Sequence, residues 1–408
     1  MGALGLATCL SLALGAASSS IPAVPSSGCK KPRPVRPPEP DPDPLPEKGE
    51  TRLLELHDPV LGRVQRRYRV HIPPGYYAPR ARGVAFPVVI DFHGYYLWDW
   101  ADEEVTGLLQ VADKRDFIAV FPEGMTDTAV LLTDGMSWNA AGTTGSPGKY
   151  GVTCQSNHSG YPCYKSCRKI HGCKNTSAVG GGRCDSSTCA DDLRFIELML
   201  DSPEADLCVD TDRIHLTGIS NGGMMVYALA MDPHLGQRFA GIAPVASEPL
   251  LGFLQAPPHP IAIMDIHGTQ DPIIPANASD PGRDCNPSGN QPGPHGTAVS
   301  DDGFYYVPQA NVTKAWAQGP NRCKGGRSEG KHWPTPFDGT PIGRRLLNYT
   351  DDFYCWAPHG ACSHGTVVVR CTHNAGHVWP WFGTFGGVAN QRWAELIWWF
   401  FQQHPRGH

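Results

Sequence analysis

The stretch that most restricts how this chain can fold is Thr217-Gly218-Ile219-Ser220-Asn221-Gly222-Gly223-Met224-Met225. A short apolar run, Ile214 to Leu216, precedes it, and Val226-Tyr227-Ala228-Leu229-Ala230, which reads as a helix, follows. Strand, sharp turn and helix around Gly-x-Ser-x-Gly make a nucleophile elbow. The serine is forced into a strained backbone conformation, and glycines two residues to either side let strand and helix approach without Cβ clashes. A Gly-x-Ser-x-Gly match alone is often no more than a loop with two glycines. The flanking strand and helix are what single out Ser220 as a nucleophile.

At 408 residues the chain is long enough to bury a sizeable core in one large domain or two. Apolar residues make up 40% and charged residues 18%, a globular balance, and a net charge of -5 gives no reason to expect nucleic acid or an acidic membrane as partner. Residues 1–20 read as a secretory signal. Leu4 to Ala17 is apolar but too short to span a membrane, and it ends in Ala16-Ala17-Ser18-Ser19, although no Lys or Arg precedes it. The rival reading is a lipid anchor on Cys29. Residues 21–48 are proline-rich and expected to form an extended linker, which leaves 49–404 as the folded domain.

Fourteen cysteines suit an oxidising compartment; without Cys9, which would leave with the signal, thirteen remain, so at least one lacks an intrachain partner. Five Asn-x-Ser/Thr sequons begin at Asn157, Asn175, Asn277, Asn311 and Asn348 and mark candidate surface loops.

Along the chain, Tyr68 to Ile72 alternates as a half-buried strand. Phe86 to Phe92, Phe117 to Phe121, Phe239 to Val245, Ile261 to Ile266 and Thr366 to Cys371 read as core strands. Helices are expected over Glu103 to Arg115, Ala190 to Leu200 and Gln391 to Gln402, and Trp316 to Cys323 suggests a helix end. Asp191 and Asp192 suit capping better than catalysis. The segment 142–189, rich in Gly, Ser and Cys, has no paired Cys-x-x-Cys spacing and is expected to be a disulfide-stapled surface insertion rather than a zinc site. Strands alternating with helices point to an α/β fold, with a mostly parallel central sheet flanked by helices. Such sheets bind ligands beyond the carboxyl ends of their strands, and Ser220, Asp271 and His377 all follow expected strands.

A serine hydroxyl needs a base within hydrogen-bond reach and a third group to orient that base. Ser220, Asp271 and His377 occur in the serine, acid, histidine order of α/β-hydrolases. His377 would accept the serine proton, and Asp271 would hold the imidazole and stabilise its charged form. The rivals for the acid are Asp265 and Asp280; the rival for the base is His373. The backbone N-H groups of Asn221 and Tyr95 are the candidate oxyanion donors. His93 reads as a structural turn residue rather than a metal ligand.

Taken together, several segments form one recognisable set. They are His93-Gly94, Phe121-Pro122-Glu123-Gly124, Trp138-Asn139, Asp191-Asp192, Gly218-Ile219-Ser220-Asn221-Gly222-Gly223-Met224-Met225, Phe239 to Val245, His267-Gly268-Thr269 with Asp271, and Gly376-His377 with Trp379-Pro380. In order and character the set resembles the secreted polyhydroxybutyrate depolymerase and feruloyl esterase group of α/β-hydrolases, which includes members of carbohydrate esterase family one. The resemblance runs from about Tyr68 to Phe400. It implies an α/β-hydrolase fold, ester hydrolysis through an acyl-serine intermediate without metal or cofactor, and Ser220, Asp271 and His377 as the triad. Trp138 and Trp379 are candidates to line the substrate site, with a core role as the alternative. The chain departs from the group at Tyr95, where members commonly have cysteine, and in its long loops at 142–189 and 280–303.

The leading expectation is a secreted serine esterase acting on feruloyl or acetyl esters of plant polysaccharide, with polyhydroxyalkanoate as the alternative substrate. A serine peptidase and a binding protein that has lost the chemistry are the competing classes.

Overall fold

A computed structural model describes residues 22–33, 49–127, 136–155, 164–167, 186–277, 293–325, 331–335, 353–379 and 388–407. The strands, in chain order, are β1 (Glu50–Asp58), β2 (Gly62–His71), β3 (Phe86–Phe92), β4 (Ile118–Pro122), β5 (Val209–Ile219), β6 (Gly241–Val245), β7 (Ala262–Gly268), β8 (Ala298–Val299), β9 (Tyr305–Tyr306), β10 (Lys331–His332), β11 (Tyr354–Ala357) and β12 (Val368–His373). The helices are α1 (Asp99–Val105), α2 (Leu108–Arg115), α3 (Asp192–Asp206), α4 (Asn221–Met231), α5 (Gln309–Gln318) and α6 (Val388–Phe401).

Ten strands form one sheet in the order β1-β2-β4-β3-β5-β6-β7-β12-β11-β10, with β8 and β9 as a separate hairpin. The centre, from β4 to β12, is parallel throughout, and β2 and β11 join its two sides antiparallel. The order reverses at β3, which has β4 on one side and β5 on the other. A crevice therefore opens beyond the carboxyl ends of β3 and β5, the place where open α/β sheets take their ligands.

Both faces of the sheet are covered, which is why its central strands β3 to β7 are buried at nearly every position rather than in alternate ones. Val88, Ile90 and Phe92 of β3 join the core under α3, α4 and α5, while Val89 points to the opposite core with α2 and α6. The aromatic residues of α6 fill that second core. Trp398 stacks on Phe117 with ring centroids 4.4 Å apart, and Phe401 stacks on His215 at 4.5 Å. This is the α/β-hydrolase architecture.

The structure departs from the sequence expectations at three places. The helix expected from Glu103 to Arg115 is two helices, because Gly107 takes a left-handed φ of 72° and breaks it. The edge strand β1 has no clean apolar signature, since its inward positions carry Arg52 and Asp58 beside Leu54 and Leu56, while Leu53 faces solvent. The described part of the proline-rich segment, 22–33, lies against the domain. Cys29 is bonded to Cys208, Ser26 Oγ donates to Leu207 O at 2.8 Å, and the Arg33 guanidinium sits 4.2 Å from the Tyr76 ring centroid. With its sulfur in that bond, Cys29 has no thiol left to carry a lipid.

Candidate active site

The elbow is built by close approach. Ser220 holds φ 57° and ψ -124° at the junction of β5 and α4, and its N-H donates to Val245 O at 3.0 Å. A side chain at Gly222 would put its Cβ 2.0 Å from Phe92 O and 2.4 Å from His93 O; one at Gly218 would come within 2.7 Å of Phe92 O. Helix and strand meet only because those Cβ atoms are missing. Ser220 remains half-buried at the sheet edge.

The loop after β3 lies against this turn. A Cβ added at Gly94 would sit 3.5 Å from the Cβ of Ser220. His93 fixes the loop as a structural residue: Nδ1 donates to Gly94 O at 2.8 Å, and Nε2 accepts the Gly124 N-H at 2.9 Å. Burial lowers its pKa to about 4, in keeping with a neutral ring. Asn221 is pinned to the backbone of Trp138, accepting its N-H at 2.7 Å and donating to its carbonyl at 3.0 Å. Tyr95, next after Gly94, pairs its hydroxyl with that of Tyr164 at 2.7 Å.

Asp271 and His377 meet on the other side. Asp271 Oδ2 accepts from His377 Nδ1 at 2.7 Å, while Oδ1 accepts the N-H groups of Ile273 and Ile274 at 2.9 Å each. Backbone bonds between the loops after β7 and β12 set this contact. Thr269 N-H donates to His373 O at 2.7 Å and Gln270 N-H to Ala375 O at 3.2 Å. Burial pushes the Asp271 carboxyl up, but hydrogen bonds from His267 and His377 outweigh it and hold the group well below the usual range. With Nδ1 engaged, Nε2 is the nitrogen of His377 left to exchange a proton. Ser220 ends β5, two strands from β7, or roughly 10 Å at the usual strand spacing. All three residues therefore stand at one edge of the sheet.

The rivals fall elsewhere. Asp265 lies inside β7, accepting from Tyr227 Oη at 2.9 Å and Gln309 Nε2 at 2.8 Å. His373 is buried and accepts the Ala375 N-H, and Asp280 lies outside the described residues. Asp191 caps α3 by accepting the Arg194 N-H at 3.0 Å, and Asp192 is buried against Arg66 at 2.7 Å.

Trp138 and Trp379 do not line the site. Both are buried, at 0% and 1% exposure. Trp138 packs edge-on to Phe92 and donates Nε1-H to His93 O at 3.0 Å, so it supports the β3 loop from behind. Trp379 belongs to the core beneath α6. Large indoles near a site read alike in sequence whether they face the ligand or the core.

Sequence reasoning missed Glu248 and the role of His267, both fully buried behind Asp271. The His267-Gly268-Thr269-Gln270-Asp271 run carried the signal for His267. Glu248, just after β6, carried none.

Most of the cysteine-rich insertion lies outside the described residues. Within them Cys154 is disulfide-bonded, and the buried sulfurs of Cys167 and Cys189 are 3.1 Å apart. Asn277 and Asn311 are exposed; the signal segment and the sequons at Asn157, Asn175 and Asn348 lie outside the described residues. Among the described residues, no helix is long and apolar enough to cross a membrane.

Strand order and the strained serine thus define an α/β-hydrolase fold with a histidine-carboxylate pair at the same sheet edge. No family model matches the chain. It is similar to the probable feruloyl esterase C of Aspergillus niger, 34% identical over 90 residues, which make up 22% of this chain and 32% of the relative. The match spans about a third of that relative's length. It is also similar to the putative esterase NocK of Nocardia uniformis subsp. tsuyamanensis, 27% identical over 201 residues, 48% of this chain and 50% of that protein. Among solved structures, an acetyl xylan esterase from Aspergillus awamori aligns with 85% of this chain and 100% of its own at 12% identity, with a TM-score of 0.44. The fold assignment rests on strand order, not on that likeness.

Proposed function

We propose that this chain is a secreted serine carboxylic-ester hydrolase acting on polymer-derived esters, of the feruloyl or acetyl-xylan type. The observation that carries the reading is the 2.7 Å contact between His377 Nδ1 and Asp271 at the sheet edge where the strained Ser220 stands. The similarity to a feruloyl esterase supports the ester class, and the apolar leader with disulfides that include Cys29–Cys208, Cys323–Cys362 and Cys355–Cys371 supports secretion.

In this reading Ser220 Oγ attacks the ester carbonyl carbon as its proton passes to His377 Nε2. The imidazolium is stabilised by Asp271. The resulting oxyanion takes the N-H groups of Asn221, in the first turn of α4, and of Tyr95, beside the Gly94 that backs onto Ser220. Collapse breaks the bond to the alcohol, which leaves with the proton from His377; a water then repeats the sequence on the acyl-serine.

Ser220→Ala should lower release of p-nitrophenol from short acyl esters to background, a loss of about a million-fold by analogy with other triads. Unchanged turnover would end the reading. A screen of methyl ferulate, acetylated xylan and polyhydroxybutyrate, with an ester compared against its matching amide, then assigns the substrate class.

A further inference from the structure

Behind the candidate acid lies a second histidine-carboxylate pair that the proposed chemistry does not use. His267, on β7, has its Nε2 2.7 Å from Ile274 O and 3.4 Å from Asp271 Oδ2, the oxygen that also takes His377. Its Nδ1 faces Glu248 Oε1 at 3.4 Å. The side chains of His267, Glu248 and Asp271 have no exposed surface.

Both neighbours of Nε2 are acceptors, so that nitrogen carries a hydrogen. Nδ1 stands 3.4 Å from Glu248 Oε1, a contact with room for one proton; burial and Asp265 push the Glu248 carboxyl well above its ordinary value, while the two carboxylates raise His267. We propose that Glu248 and His267 are positioning residues for the triad: Glu248 holds His267 as an imidazolium, which clamps the 271–274 turn and places a positive charge against the carboxylate that serves His377. This rests on the assignment of His377 as the base.

The surroundings bear on this from every side. Asp265 on β7 takes Tyr227 of α4 and Gln309 of α5. Arg370 of β12 lies opposite Asp265 in register, with its guanidinium on Gln309 Oε1. His373 of β12 is pushed down to about 4 by burial and stands neutral. Burial works to lower the pKa of His267 as well, but Asp271 and Glu248 together raise it to about 10. Glu248, Asp265 and His267 bring one donor atom each within 4.8 Å of one another. Arg370 and the imidazolium supply two positive charges to this cluster against the charges of its carboxylates.

A positive charge beside Asp271 weakens its hold on a protonated His377. Removing it should strengthen that hold and move the acidic limb of the pH-rate profile up, by about one unit for a charge a few ångströms away in a partly buried site. The test is the pH dependence of kcat/KM for p-nitrophenyl acetate in the full chain, comparing wild type, His267→Gln, Glu248→Gln and the double variant. The acidic limb should move up by about one unit in His267→Gln, by less in Glu248→Gln, and no further in the double variant. Histidine 15N NMR provides a readout independent of turnover. His267 should show both nitrogens protonated at pH 7 in wild type and lose one of them in Glu248→Gln. A neutral His267 in wild type, or an acidic limb unmoved in both single variants, overturns the proposal. Loss of hydrolysis from wild type, or its persistence in Ser220→Ala, removes the ester reading instead, and the NMR titrations still decide the role of the pair.

Discussion

At the elbow, nine consecutive residues carry the geometry, and what shapes them is missing side-chain volume: Gly218 and Gly222 let α4 and β5 close on Phe92 O. At the acid-base junction the partners are 106 residues apart, and what joins them is polar. Backbone bonds between two loops bring them together, and a buried charged pair lies behind them. A steric site of this kind fails by losing its fold, whereas a polar junction can lose alignment while the fold survives.

Two glycine substitutions put that contrast at risk. Gly222→Ala places a Cβ 2.0 Å from one main-chain oxygen and 2.4 Å from another, neither of which can swing away. Alanine is normally the better helix residue by about 1 kcal/mol, so the sign here is a test of close approach against propensity. We expect a net destabilisation of roughly 3 kcal/mol, read as a fall in the denaturant midpoint, with hydrolysis lost alongside. A stabilised Gly222→Ala would show that the elbow has slack.

Gly268→Ala tests the other side. Its Cβ would lie 2.3 Å from Ala375 O and 2.4 Å from Gly376 O, on a loop that can be pried outward. Displacing that loop moves His377 away from Asp271. The expected outcome is a loss of about a hundred-fold in kcat/KM with a smaller change in unfolding midpoint than Gly222→Ala produces. If the two variants lose stability equally, the two regions are not built on different principles after all.

The same contrast explains what could be read from the sequence. Ser220 was legible because its motif, strand and helix are adjacent, so local sterics suffice. Asp271 and His377 were legible through chain order and their place after apolar runs, and their contact follows from a parallel sheet that brings every strand end to one edge. Glu248 was not legible, because a single acid after β6 gains its meaning only when β7 folds beside it. The indoles of Trp138 and Trp379 mark large buried volumes, but nothing in the order of residues says toward which side a ring turns. The edge strand β1 escaped for a related reason: its pairing with β2 makes it a strand, and the inward Arg52 and Asp58 with the outward Leu53 hide the alternation.

The smallest expected effect concerns buried acid without a dedicated cation. On the elbow side, burial raises Asp91 of β3 to about 7, only partly offset by the Thr106 hydroxyl and the Phe92 backbone, and Asp102 of α1 is raised well above its usual value by burial and by Asp91. A carboxyl with a raised folded pKa keeps its proton in the native state where the unfolded chain has lost it. Its contribution is complete below about pH 4 and is lost as pH rises toward 7. Asp271, held low by two histidines, behaves in the opposite way: its contribution is present above about pH 4 and is lost as pH falls. Asp91→Asn should therefore flatten the decline in stability between pH 5 and pH 8 and leave the protein more stable at pH 8 by on the order of 1 kcal/mol. Urea midpoints at the two pH values measure it. Glu123, raised to about 7 by burial and Asp99 against the pull of Arg67, keeps part of the slope in place. An unchanged slope would mean that Asp91 is ionised in the native state, and that the elbow side holds buried charge as the junction side does.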